Sequence, residues 1–82
     1  MATIDDLRKE IDEIDDQLMN LLEKRFDLTY QIGIEKNKIK RTILDTKREE
    51  IIINKISKYS HSPQIESVYM TVMAESKKAQ RK

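Results

Sequence analysis

Eighty-two residues, with no Cys, one His, one Gly and one Pro, make a single domain (residues 1–82) without disulfides or thiolate chemistry, and no zinc site built from His and Cys is expected. Charge is dense but balanced, 16 basic against 15 acidic residues for a net +1, which gives no general attraction to nucleic acid or to a membrane surface. No apolar run approaches the ~18 residues of a membrane span, and the first residues lack the basic-then-apolar order of a secretory signal, so a cytoplasmic protein is expected.

The first predicted element is a long helix over about residues 3–40. Apolar residues recur at steps of three and four: Ile4, Leu7, Ile11, Ile14, Leu18, Leu21, then Leu28, Ile32 and Ile39. Thr3 is the expected N-cap, with Asp5 and Asp6 in the first turn, where the helix dipole favours negative charge. Lys36, Lys38, Lys40 and Arg41 crowd the other end, which suits the same dipole. Most of these charges read as a solvated face. At about 1.5 Å per residue the helix is roughly 54 Å long. The rest of so short a chain cannot easily cover a stripe of that length, so part of it is expected to bury against a second copy in a symmetric dimer.

Residues 40–45 lose the period and read as a short loop. A second helix is predicted over about residues 46–58, with Ile51, Ile52, Ile53 and Ile56 as its apolar positions. Thr46 and Glu49 have capping-box spacing, and Asp45 competes as N-cap. Ser60-His61-Ser62-Pro63 is a turn, with Ser62 as N-cap and Pro63 at the first helical position of a third helix over about residues 63–80. Its inward line is Ile65, Val68 or Tyr69, Val72, Ser76 and Gln80. The fold class is therefore all-α: three helices, long, short and medium, in an intertwined dimer with paired long N-terminal helices.

Each helix breaks its own apolar pattern with polar residues. The step after Leu21 falls on Arg25, whose burial without a partner would cost several kcal/mol. Lys36 lies eleven residues on, which returns to within roughly 20° of the same face, about 16 Å away along the axis. Two cations on one interior face, with no acid beside them in the stripe, suggest an anionic ligand between them. The plainer alternatives are an ion pair from another helix for Arg25 and a solvated chain end for Lys36. Arg8, about 25 Å before Arg25, cannot reach a ligand there in its own chain but could reach the equivalent site of an antiparallel partner; otherwise it is a surface residue. Arg48 and Glu49 precede the inward side of helix 2, with the capping box as the alternative for Glu49. Ser76 and Gln80 prolong the helix-3 line, or else belong to a fraying end.

Together these positions could line one polar pocket in a small bundle. With no Ser-His-Asp set, no Cys nucleophile and no second Gly for a phosphate loop, the pocket suits a small, multiply anionic molecule. Its reaction would need orientation and charge stabilisation more than covalent help.

Five segments, in order and at suitable separations, resemble the all-helical type II class of chorismate mutases. They are Leu7-Arg8-Lys9-Glu10-Ile11-Asp12-x-Ile14-Asp15, Leu21-Leu22-Glu23-Lys24-Arg25, Ile32-Gly33-x-x-Lys36, Asp45-Thr46-Lys47-Arg48-Glu49 and Ser76-Lys77-Lys78-Ala79-Gln80. The resemblance covers essentially the whole chain. It implies a cofactor-free enzyme that converts chorismate to prephenate by a [3,3] rearrangement on the route to phenylalanine and tyrosine. It also implies a homodimer with shared sites; composition and charge, for their part, give no metal, nucleic acid or membrane as an expected partner.

Carried over by position, Arg25 and the partner chain's Arg8 would hold the substrate carboxylates, with Arg48 adding to the cationic lining. Lys36 and Gln80 would face the ether oxygen. Glu49, with the backbone around Asp45, would hold the ring hydroxyl, and Ser76 would complete the wall on the carboxylate side. The connection from Lys58 to Ile65 is shorter than in many relatives and lacks their Gly-Leu-Asp-type turn, which could shorten a helix by a turn or tilt helix 3. The first loop also lacks the Gly and Pro often seen there. Two rivals are an isochorismate–pyruvate lyase on the same fold and a non-enzymatic helical dimerisation module. The intact D-x-x-R-E run argues against the first; Arg25 in the stripe and the Ser76/Gln80 pair argue against the second.

Overall fold

Thr3 and Asp6 start the main element. The Asp6 amide donates to Thr3 Oγ1 and the Thr3 amide donates to Asp6 Oδ2, both at 3.1 Å. This reciprocal pair satisfies two of the amides that a helix start leaves without partners. The Thr3 cap was legible in the sequence; the second half of the box was not, because Asp rather than Glu closes it. The Asp6 carboxyl is held below the usual carboxylate range, chiefly by the Thr3 backbone amide and then by the Thr3 hydroxyl.

The computed structural model describes residues 1–39 and 46–80. Helix α1 spans Ile4–Lys38, α2 spans Thr46–Ile56 and α3 spans Ser62–Gln80; no strand occurs among the described residues. The expected loop and Asp45 lie outside the described residues. Two boundary details differ from the sequence reading. Thr46 is already helical and the Glu49 side chain turns to α3, so the two do not form a capping box. The His61 carbonyl accepts from the Ile65 amide at 3.0 Å, which makes His61 rather than Ser62 the cap of α3. Pro63 still sits in the first turn, where its missing N–H is harmless.

Helix α3 packs against both α1 and α2, while α1 and α2 face each other without close backbone approach. The buried residues are Thr29 and Gly33 on α1, Ile56 on α2, and Val72, Met73 and Ser76 on α3. On α3, Tyr69 is half-buried and Val68 is 60% exposed, which settles the inward line in favour of Tyr69.

Within the chain, the face of α1 that meets α3 is not the apolar stripe. Leu28 and Ile32 are 58% and 48% exposed, whereas Thr29 and Gly33, one residue and about 100° further round, are buried. Size decides this. A Cβ built on Gly33 would fall 2.6 Å from Gln80 Cα, so only glycine lets the end of α3 come this close. Before Leu22, no residue of α1 is buried. The chain measures 56 × 24 × 14 Å with a radius of gyration of 16.0 Å, against about 12 Å for a compact chain of this length. The first half of α1 projects from the three-helix body.

Candidate active site

Three helix ends converge where α1 is polar. Arg25, Thr29 and Lys36 come from α1, Arg48, Glu49 and Ile52 from α2, and Met73, Ser76, Lys77 and Gln80 from α3; with Leu28 and Ile32 they enclose a cavity of 350 Å³. That is large enough for a small organic molecule. Among the described residues its charged lining is four cations, Arg25, Lys36, Arg48 and Lys77, against one anion, Glu49.

Arg25 is half-buried, and its Nη1 donates to Ser76 Oγ at 2.5 Å. Ser76 Oγ in turn donates to the Val72 carbonyl at 2.7 Å, which fixes the hydroxyl's lone pairs toward the guanidinium. The Tyr69 ring lies 5.9 Å from the guanidinium carbon, within cation–π range. Thr29 Oγ1 donates to the Arg25 carbonyl at 2.8 Å. Among the described residues no carboxylate pairs with Arg25, so an ion pair from another helix is not what holds it. Its partners are a hydroxyl and a ring, neither of which cancels its charge.

Lys36 is half-buried at the other end of the cavity and donates from Nζ to Gln80 Oε1 at 3.0 Å. It is therefore not the solvated chain end that its position near a helix terminus allowed. Gly33 lies between the two cations on α1, and its lack of a side chain sets the depth at which Gln80 reaches Lys36. Glu49 pairs with Lys77 at 2.6 Å. Arg48, on the first turn of α2, lines the cavity from an exposed position.

Six of the eight residues singled out from the sequence, Arg25, Lys36, Arg48, Glu49, Ser76 and Gln80, thus share one cavity. The short Lys58–Ile65 connection does not carry Ser76 or Gln80 away from it. Asp45 lies outside the described residues. Arg8 is exposed on the projecting half of α1, about 25 Å along the axis from Arg25, and does not line the cavity. The sequence reading missed Lys77, Thr29 and Met73, and gave Tyr69 only as one of two choices for the inward line of helix 3. Thr29 and Met73 repeat the helical period of residues it did find, so spacing could have supplied them. Lys77 is one of two adjacent lysines near the chain end, and nothing local distinguishes it from Lys78.

Chemically, the cavity offers fixed positive charge and hydrogen-bond donors at two ends and a carboxylate on the third side. Among the described residues it has no nucleophile paired with a base. No group of three or more His, Cys, Asp or Glu that could hold a metal occurs among the described residues, and no helix there is long and apolar enough to cross a membrane.

No curated protein and no solved structure matches the chain. The family model described as chorismate mutase type II matches residues 7–81, a span that takes in α2, α3, all but the first three residues of α1 and every residue named in the cavity. The chain belongs to the chorismate mutase type II family.

Proposed function

We propose that this protein converts chorismate to prephenate, in a homodimer whose sites are shared between subunits, and so serves phenylalanine and tyrosine biosynthesis. The observation that carries the reading is Arg25: a half-buried guanidinium turned to a neutral hydroxyl, in one cavity with a Lys36–Gln80 pair. A pocket that leaves the Arg25 charge uncancelled is suited to an anionic guest. Chorismate is a dianion of suitable size.

The reaction is intramolecular. The ether C–O bond breaks, a C–C bond forms, and no electron, proton or group enters or leaves, so no cofactor is required. What the protein supplies is shape and charge. Arg25, helped by Arg48 and by the partner subunit's Arg8, holds the carboxylates and folds the enolpyruvyl arm over the ring. Ser76, already bonded to Arg25, closes that side. As the C–O bond stretches, negative charge grows on the ether oxygen. The Lys36 ammonium and the Gln80 amide N–H face it and stabilise the transition state more than the ground state. Glu49 accepts from the ring hydroxyl.

Dimerisation follows from what the single chain leaves uncovered. Leu7, Ile11, Ile14, Leu18 and Leu21 are 48–61% exposed along one stripe of the projecting half of α1. Two such helices running antiparallel would bury both stripes and bring each Arg8 to the other's cavity. The test is direct. Purified protein is given chorismate and the product identified. Prephenate supports the reading. Pyruvate released from isochorismate would replace it with a lyase, and turnover of neither would leave a helical dimerisation module.

A further inference from the structure

The ion pair between Glu49 and Lys77 differs from the two other side-chain pairs among the described residues. Lys38–Glu35 and Lys78–Glu75 are one helical turn apart on exposed faces, with every side chain at least half exposed. Lys77 and Glu49 join α3 to α2 at 2.6 Å, with side chains only 31% and 28% exposed, and both line the cavity. Ser76 and Lys77 are neighbours on α3. One carries the contact to Arg25 and the next, about 100° round, carries the contact to α2.

The Glu49 carboxylate shares the cavity lining with Arg25, a guanidinium whose partners are a hydroxyl and a ring. If Glu49 turned to it, it would cancel charge meant for the guest and lose its aim. Lys77 prevents this by holding one oxygen, Oε1. The second oxygen is left to accept from a ligand. A lysine suits this task because an ammonium has no lone pair to compete for the hydroxyl proton.

We propose that Lys77 is a positioning residue that aims the Glu49 carboxylate at the ring hydroxyl of the substrate. The inference rests on the mutase reading above. It makes Lys77 act through Glu49 rather than as one more cation drawing in the dianion.

The test is steady-state kinetics on chorismate for wild type, Lys77→Met, Lys77→Arg, Glu49→Gln and the double variant Glu49→Gln/Lys77→Met, with inhibition by a dicarboxylate analogue lacking the ring hydroxyl. Loss of a charged contact of this kind predicts about a tenfold or greater rise in KM for Lys77→Met, with a smaller change in kcat. Lys77→Arg is expected to recover most of it. Lys77→Met is expected to matter much less once Glu49 is already Gln, and the hydroxyl-free analogue is expected to bind Lys77→Met as it binds wild type. Losses that multiply in the double variant, or equal weakening of the hydroxyl-free analogue, would show a plain electrostatic role and overturn the proposal. So would wild-type kinetics in Lys77→Met. If that variant loses its helical circular dichroism, Lys77→Gln is put through the same series and judged by the same outcomes. A wild-type protein that does not turn over chorismate sinks the mutase reading itself and this inference with it; an active wild type with uncoupled variants sinks this inference alone.

Discussion

Lys36 and Gln80 lie 44 residues apart in the chain and meet at 3.0 Å, Nζ donating to Oε1. The contact leaves the Gln80 amide NH₂ available to a third oxygen. Substituting Lys36 by Ala is expected to lower kcat about 10²–10³-fold or more, the range for loss of one donor at a developing anion. The fold should survive, because the close backbone approach of α1 and α3 runs through Gly33 and the Lys36 side chain adds one half-buried contact to it. Near-normal turnover by a folded Lys36→Ala protein would remove Lys36 from the chemistry.

Gln80→Glu tests the same oxygen by pH. Gln80 does not titrate, so this position imposes no acidic optimum on the wild type. A carboxylate there would engage Lys36 and repel the growing negative charge; its protonated form would donate a hydrogen bond again. Activity of Gln80→Glu is therefore expected to be low at neutral pH and to rise as pH falls toward the range in which a glutamate protonates, about 4–5 or somewhat below beside a cation. A variant with the wild-type pH–rate profile would contradict the placement of this side chain against the reacting atoms.

Gly33→Ala sets two effects of opposite sign against each other. Helix propensity favours Ala over Gly by about 1 kcal/mol. Overlap opposes it, since the new Cβ would lie 2.6 Å from Gln80 Cα and 2.9 Å from Gln80 C, both backbone atoms that cannot rotate away. Overpacking typically costs about 1–3 kcal/mol, so the overlap is expected to win. The variant should unfold at lower temperature and lose activity together, because relief requires moving Gln80 off Lys36. A rise in Tm with activity retained would show that α3 does not approach α1 this closely.

The same glycine shows what the sequence could and could not reveal. Helix number, order and approximate ends were legible because each helix carries its own period and because Thr3 and Pro63 punctuate two of the starts. The polar residues of the cavity were legible because Arg25, Lys36, Ser76 and Gln80 interrupt or extend those periods. The face on which α1 meets α3 was not. Periodicity weighs hydrophobicity, and here the close approach runs through Thr29 and Gly33, a polar residue and a residue with no side chain. For Glu49 a local cap stood as the alternative to a place in the pocket, because Thr46 lies three residues before it; its partner in the structure, Lys77, comes from another helix, and no single-helix pattern predicts it.

Asp6 gives a pH prediction with a definite sign. Its carboxyl is held below its ordinary value by the two Thr3 contacts. A carboxyl whose folded-state pKa is depressed stabilises the fold fully above its unfolded value, 3.8 for this group, and that contribution disappears as pH falls through the folded value. The first turn of α1 is therefore expected to fray at pH below about 4, while the α1–α3 contact around Gly33 persists. Amide exchange read residue by residue checks this: protection at the start of α1 should fall before protection in α3. Asp6→Asn should bring the neutral-pH exchange pattern of that turn close to the acid pattern of wild type.

The shared-site proposal has the sharpest outcome. Arg8 and Arg25 are too far apart on one helix to serve one ligand, about 25 Å by the rise of an α-helix. If each site takes Arg25 from one subunit and Arg8 from the other, Arg8→Ala and Arg25→Ala dimers are each defective at both sites. A mixed dimer has one site with both lesions and one with neither. Equal amounts of the two variants, unfolded together and refolded, should form mixed dimers as about half of the population and recover roughly one quarter of wild-type activity. If Arg8 served its own chain, or served only the helix surface, that pattern of recovery would not appear. Glu in place of Leu18, which is 49% exposed in the stripe, is expected to abolish recovery by keeping the chains apart, with sedimentation showing a monomer.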